Sequence, residues 1–408
     1  MSAYNIPMGS VNQKPQTGIQ VVRAVDSFLY DDKNQRYLDL CSGLWNNSFG
    51  YANELSQQLE ADFKQVLQTG VPFLDIHSYG HPLYTAYAEK LLDFCNDGKY
   101  DFERVTYTNS GSESTELAVK YVKHLRGNRK LISFATGYHG TFFAGMNVSG
   151  LDEIVTEDYH SKATECTFLQ VPKSEAEEAA IFEYVRQNHH DIGGFFLEPV
   201  IGSGGVYPFS PTFLNTLLEL LRKYDIISVF DEVATGFYRT GSRFYYHNLD
   251  SNPDLLLLSK AINNGAIPFG AVVMSHKVSR YLQNSDVHVE HFSTQNGNLL
   301  GVQSALTTLE YILENEELLQ TQVNTIEKTI LDLFSDGRTK IHGKGAMYSI
   351  EINDLAKVIR IWNELRENGI LVYYYSAGQE QSGLTLFPIL LTTQRTMEKS
   401  MKFIRQKL

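Results

Sequence analysis

From about residue 103 the chain alternates short apolar runs with longer stretches whose apolar residues recur at every third or fourth position, and few folds are compatible with that rhythm. Runs that are apolar on both faces need cover on both faces, as in a mostly parallel sheet wrapped by helices. Val105-Thr106-Tyr107 reads as a first strand, Leu131-Ile132-Ser133-Phe134 as a second and Phe195-Phe196-Leu197 as a third. Ile226 to Phe230 and Leu255 to Leu258 follow as a fourth and a fifth. Glu113 to Leu125 is expected as the helix after the first strand. Phe213 to Tyr224, with Leu214, Leu217, Leu218 and Leu221 on one stripe, is expected between the third and fourth. Upstream, Leu55, Leu59, Phe63, Val66 and Leu67 have helical spacing that stops at Gly70.

Beyond Gly301 the rhythm changes. Val302 to Leu313 and Leu318 to Phe334 read as helices and Met347 to Ile352 as a strand. Leu355, Val358, Ile359, Trp362 and Leu365 form one helical stripe. Leu371-Val372-Tyr373 and Leu384-Thr385-Leu386 read as strands, and a last helix starts at Gln394. The expected division is an N-terminal segment, 1–45, that joins a small α+β domain, a large α/β domain over 46–297, and the small domain over 298–408.

The 408 residues are too many for one ordinary core, and 43% hydrophobic with 20% charged is a globular mix. A net charge of -12 offers no basic face to nucleic acid and nothing to anionic lipid. Cys41, Cys95 and Cys166 are odd in number, far apart and in no CxxC spacing, so neither a disulfide framework nor a zinc site is suggested and no metal is expected. Met1 to Gly18 is polar, without the apolar stretch of a signal peptide, and no run reaches the roughly 18 apolar residues of a membrane span. The expectation is a cytoplasmic protein.

In open parallel sheets, ligands bind beyond the carboxyl ends of the strands, and chemistry-bearing residues occupy those positions. Asn109-Ser110-Gly111-Ser112 ends the first strand and opens a helix; its N–H groups suit an anion, or an ordinary N-cap. Asp231 ends the fourth strand, where it could hold a protonated ring nitrogen, cap a helix or bind a metal. Lys260 follows the fifth; it could be a desolvated nucleophilic amine or a snorkelling surface lysine. Tyr138, in Tyr138-His139-Gly140 after the second strand, offers a face to a flat cofactor or to core packing.

The order of these features resembles the class III aminotransferases, pyridoxal-phosphate (PLP) enzymes of fold type I. The resemblance covers nearly the whole chain. Thr108-Asn109-Ser110-Gly111-Ser112-Glu113 is similar to the family's phosphate cup, Gly137-Tyr138-His139-Gly140 to its ring-stacking motif, and Leu197-Glu198-Pro199-Val200 to its strand-end glutamate. Phe230 to Phe237, Asp-Glu-Val-Ala-Thr-Gly at its centre, with Arg239-Thr240-Gly241, is close to the family's most recognisable stretch. Ser259-Lys260-Ala261 matches its lysine motif.

The resemblance implies an α/β fold with a mostly parallel seven-stranded sheet, and PLP carried on Lys260 as a Schiff base. It implies that Asp231 keeps the pyridine nitrogen protonated, Tyr138 and Val233 take the two ring faces, and Glu198 and His139 stand among the ring-side groups. Ser110, Gly111 and Ser112 would take the phosphate, joined by Thr294 of a second subunit in a homodimer with shared sites. The implied reaction is ping-pong transfer of an amino group from a small-molecule amine donor to a carbonyl acceptor. An aminomutase, racemase or decarboxylating enzyme shares the fold and cofactor; a non-enzymatic homologue would have no reason to keep Lys260 with Asp231.

The chain departs from the family where many members bind an α-carboxylate. Thr385 stands in place of the arginine before Pro388, and Ser203 in place of the acid that pairs with it. Tyr373-Tyr374-Tyr375 occupies the region where other members carry a second arginine. Losing both partners of a buried ion pair leaves neither charge stranded. The expectation is an enzyme that does not read an α-carboxylate in the usual way. Ser42 to Asn47 resembles the entrance segment of ω-amine:pyruvate aminotransferases, and diaminopelargonate aminotransferases also carry a tryptophan near there. Leu44, Trp45, Tyr138, Tyr373, Phe387 and Arg239 are the expected substrate-pocket residues.

Overall fold

The computed structural model of the chain describes residues 6–7, 18–151, 159, 165–285, 288–334, 336–377 and 381–408. Most of Met1 to Gly18, read as lacking a signal peptide, lies outside the described residues. Among those described, no helix is long and apolar enough to cross a membrane, and no group of His, Cys, Asp and Glu is placed to hold a metal.

The central sheet has seven strands. They are β1 (Phe102–Thr108), β2 (Lys130–Phe134), β3 (Cys166–Leu169), β4 (Ile192–Leu197), β5 (Ile227–Asp231), β6 (Leu255–Leu258) and β7 (Gly270–Ser275). Their spatial order is β1-β7-β6-β5-β4-β2-β3, and only β7 runs antiparallel to its neighbours. Strands β4 to β7 are buried at every residue, as their unbroken apolar runs require. The mostly parallel α/β fold expected from the sequence is present.

Two strands of the central sheet escaped the sequence reading. β3 is a four-residue edge strand that is only half-buried, so it carries little apolar signal. β7 returns beside β6 after a single turn, Lys260–Asn263, without the crossover helix that marked the other strands. β4 also begins earlier than expected, at Ile192, and its Gly193-Gly194 carries no apolar signal because a Cβ at 194 would lie 2.8 Å from Val122 and one at 193 would press on Arg126 and Arg129.

Gly270 positions the site. It pairs with Thr108, and a Cβ there would lie 2.7 Å from the Thr108 hydroxyl and 3.0 Å from the carbonyls of Leu258 and Ser110. Its bare backbone lets the ends of β1 and β6 close together, bringing the 109–112 turn beside Lys260.

At the N-terminus, Val21–Val25, Phe28–Asp31 and Arg36–Asp39 form an antiparallel meander, and Arg36–Asp39 pairs in parallel with Ile370–Leu371. A second four-stranded sheet joins Ile341–Lys344, Met347–Glu351, Gln381–Leu386 and Tyr373–Ala377. The strand expected over Leu371-Val372-Tyr373 is therefore two strands in two sheets. The break falls at Val372, whose carbonyl accepts a 2.8 Å hydrogen bond from the Trp362 indole. Helix Leu299–Glu314 packs on Glu54–Gln68 and Pro82–Asn96, whereas Glu316–Phe334 packs on the last helix, Gln394–Lys407.

Candidate active site

The carboxyl ends of β1, β2, β4, β5 and β6 meet around a cavity of about 440 Å³, within the usual size of a small-molecule site. On this side each wall comes from the end of one strand. Ser110, Gly111 and Ser112 follow β1. Ser110 caps helix Gly111–Arg126, its hydroxyl accepting from the Glu113 N–H at 3.2 Å. The first intrahelical bond runs from the Ser114 N–H to the Ser110 carbonyl, so the N–H groups of Gly111 and Ser112 precede it and suit an anion. A Cβ on Gly111 would lie 3.1 Å from both Val233 methyls, and one on Gly140 would lie 2.9 Å from Ser112 Cα. Both glycines keep this cup open.

After β2, the turn carries Tyr138 and His139, and after β4 comes Glu198. The Glu198 carboxylate accepts from the N–H of Tyr138 at 3.0 Å and of Gly202 at 3.1 Å, tying two walls together. Asp231, the last residue of β5, accepts from the Val233 N–H at 3.1 Å and lies 2.8 Å from His139 Nδ1. β5 and β6 are in register with Asp231 opposite Leu257, which sets Lys260 just beyond the neighbouring strand end. Lys260 adopts a left-handed φ of 49°, uncommon for a non-glycine residue, as strand gives way to turn. Its Nζ sits 4.6 Å from the centre of the Trp45 ring.

Burial and charge oppose one another here. Burial pushes the Lys260 ammonium down, and the Asp231 and Glu198 carboxylates only partly restore it. Burial pushes the Glu198 carboxyl up despite the opposing pull of His139. For His139, burial acts to lower the imidazole, but its hydrogen bond to Asp231 and that carboxylate's charge outweigh it and raise it overall.

The entrance segment is held by Asp39, which accepts from the N–H of Cys41 (2.7 Å), the N–H of Gly43 (2.8 Å) and the Tyr51 hydroxyl (2.7 Å). Around it, Ser42, Gly43 and Trp45 have φ values of 48°, 68° and 60°. This turn leaves Leu44 exposed at the mouth and brings Trp45 over Lys260.

Of the expected pocket residues, Leu44, Trp45, Tyr138 and Tyr373 line the cavity. Two do not. Phe387 is fully buried behind Trp45, stacked on it with ring centres 4.2 Å apart. Arg239 is buried and spends its guanidinium on the carbonyls of Ala346 (3.1 Å) and Pro388 (2.6 Å) and the hydroxyls of Ser42 (3.2 Å) and Ser48 (2.9 Å). It fastens the entrance segment to the C-terminal half. Among the described residues no arginine lines the cavity.

Thr294 is exposed in the turn before helix Leu299–Glu314 and does not line its own chain's cavity. That turn is nonetheless tied to the cup. The Glu113 carboxylate accepts from the Asn109 N–H at 2.8 Å and the Asn296 amide at 2.7 Å, and Asn296 in turn accepts from the Ser293 N–H at 2.6 Å. Burial pushes the Glu113 carboxyl up, but His291 at 3.4 Å, Asn296 and Asn109 together hold it down at about 2. The sequence reading quoted Glu113 without a role, because a clamp between residues so far apart leaves no local pattern. Leu151, Gly140, Ala234 and Ser259 also line the cavity. All but Leu151 sit inside or beside the quoted motifs.

These residues fit a flat phosphorylated pyridine. The 111–112 N–H groups would hold its phosphate, Tyr138 and Val233 would take its faces, and Asp231 and Lys260 would meet its opposite ends. The family and its relatives agree with that chemistry by sequence, and a solved structure agrees with the fold. A sequence model of the family "Aminotransferase class-III" matches residues 9–408. The chain is 27% identical over 386 residues to an acetylornithine aminotransferase of Archaeoglobus fulgidus, covering 95% of this chain and 94% of that protein. It is 29% identical over 384 residues to an omega-amino acid–pyruvate aminotransferase of Pseudomonas putida, covering 88% and 82%. The fold superposes on a transaminase from the marine bacterium Virgibacillus with a TM-score of 0.89 at 24% identity, covering 99% and 96% of the two chains. On sequence, fold and site together, the chain belongs to the class III aminotransferases, enzymes that use pyridoxal phosphate.

Proposed function

We propose that this enzyme moves an amino group from a small-molecule amine to a carbonyl acceptor in two half-reactions, and that it reads neither partner through an α-carboxylate. The observation that carries the reading is the lining of the cavity. Asp231 and Lys260 end neighbouring parallel strands in one enclosed space, and among the described residues no arginine shares it. Bound PLP supplies an electron sink for the carbanion at the substrate carbon. Asp231, anchored by His139, holds the proton on the cofactor's ring nitrogen. Lys260, with its ammonium pushed down by burial, attaches the cofactor through Nζ and later moves the proton at the substrate carbon. Trp45 and the tyrosines of 373–375 exclude water and suit an apolar or aromatic substrate body.

The catalytic unit in this reading is a homodimer, supported by the exposure of Thr294 on a turn anchored to the phosphate cup. A cytoplasmic setting agrees with three cysteines that form no disulfide among the described residues. The test is a panel of ω-amines and α-amino acids, read as conversion of bound cofactor from its aldehyde to its amine form, followed by steady-state kinetics with a carbonyl acceptor. Parallel double-reciprocal lines and efficient turnover of amines without an α-carboxylate are expected. Use of α-amino acids alone in both half-reactions, or turnover of one substrate without any acceptor, would contradict the proposal.

A further inference from the structure

One wall of the cavity carries neutral polar groups that make no hydrogen bond among the described residues. Thr385 is 2% exposed, yet its hydroxyl makes no hydrogen bond; nor do the Trp45 indole N–H and the Tyr375 hydroxyl. Ser349 lies beside Tyr375 but gives its own proton to the Gly205 carbonyl. Native interiors rarely leave such groups unsatisfied, because a buried polar atom without a partner forfeits its hydration and gains nothing in return.

Glycines bring the groups onto one wall. A Cβ on Gly202 would lie 2.9 Å from the Trp45 ring, and one on Gly205 would lie 2.9 Å from the Tyr375 ring. Ser203, between them, lines the cavity. Across the sheet Gly383 pairs with Tyr375, and Thr385, two residues on along the same strand and face, pairs with Tyr373. Trp45, Ser203, Tyr375 and Thr385 are therefore neighbours, and all four line the cavity that holds Lys260.

We propose that this wall recognises a neutral hydrogen-bonding group on the substrate, a carboxamide or a hydroxyl, where a carboxylate would otherwise be read. The inference rests on the aminotransferase reading above and names its substrate class. The indole can only donate, whereas the three hydroxyls donate and accept, so the set calls for a ligand group that can do both. A carboxamide does so. A carboxylate only accepts, and it would enter with a full charge beside Asp231 and Glu198, with no lining arginine to offset its lost hydration.

The test compares matched donors on the holoenzyme: 3-aminopropanamide against 3-aminopropanoate, alaninamide against alanine, and butylamine as the apolar reference. Single-turnover conversion of the cofactor gives each rate constant, and calorimetric titration with butanamide and butanoate, which lack the amine, gives binding without chemistry. The amides are expected to exceed the carboxylates about 10- to 100-fold in kcat/KM, with butanamide binding more tightly than butanoate. Thr385→Val should cut the amide preference about 5- to 10-fold, and Thr385→Ser should keep most of it. Carboxylates equal to or better than amides, with transamination intact, would overturn the inference and leave the aminotransferase reading standing. If Thr385→Val leaves the ratio unmoved, the wall is not the reader. Failure of every amine to convert the cofactor would overturn both.

Discussion

His139 Nδ1 lies 2.8 Å from Asp231 Oδ2 in the floor of the cavity, and Ser133 Oγ lies 3.3 Å from the other ring nitrogen. Since Asp231 holds the imidazole in its charged or donating form, the imidazole fixes the carboxylate in place. A buried carboxylate at this strand end can then act on a ring nitrogen without wandering.

Asp231→Asn keeps the size of the side chain and removes its charge. The expected result is a protein that still binds PLP and loses at least about 100-fold in kcat, with the His139 titration moving down toward the ordinary imidazole range. Rapid-mixing spectroscopy and histidine NMR read the two effects. A variant with near-normal kcat would remove Asp231 from the chemistry.

Glu113 predicts an acid-side stability change. Its folded carboxyl is held at about 2, below the ordinary 4.5. A lowered carboxyl contributes stability that is fully present above its unfolded value and lost as pH falls through its folded one, so the loss spans about pH 4.5 to 2. Glu113→Gln should lack this acid limb and be less stable at neutral pH by on the order of 2 kcal/mol. Melting temperatures across that range test it, and a PLP titration should show weaker binding if the clamp orders the cup.

Asp39 should govern the entrance. Asp39→Asn replaces one of two accepting oxygens and so strands donors among Cys41 N–H, Gly43 N–H and the Tyr51 hydroxyl. With Trp45 no longer fixed over Lys260, KM should rise about tenfold while kcat falls much less, and stability should drop by about 1–3 kcal/mol. An unchanged KM would separate the entrance turn from substrate binding.

Thr385 and Ser203 line the same cavity and should behave as a pair. Thr385→Arg alone places an unpaired charge where the wall is neutral and should lower the melting temperature. Adding Ser203→Asp should recover much of the loss and improve carboxylate donors relative to amides. Simple additivity of the two changes would argue against their proximity in function.

Residues set by strand ends were legible in the sequence. Asp231 ends Ile227–Asp231 and Lys260 follows Leu255–Leu258, mainly apolar strands that are buried at every residue. Contacts between distant segments were not. Arg239 sits in a recognisable motif, but only the fold reveals that its hydrogens go to Ala346, Pro388, Ser42 and Ser48. Phe387 was read as a pocket residue, yet its ring is buried and spent on stacking behind Trp45. β7 was hidden because a tight return has no helix to announce it, and the Glu113–Asn296 clamp because its residues share no period.

The central claim is that Lys260 carries the cofactor and gives it up to a substrate amine. Reducing the holoenzyme with borohydride and mapping the labelled peptide by mass spectrometry tests this directly. The account predicts one cofactor fixed to Lys260, and loss of that label when an amine donor is added before reduction. A label on another lysine, or one that a productive donor does not displace, would contradict it.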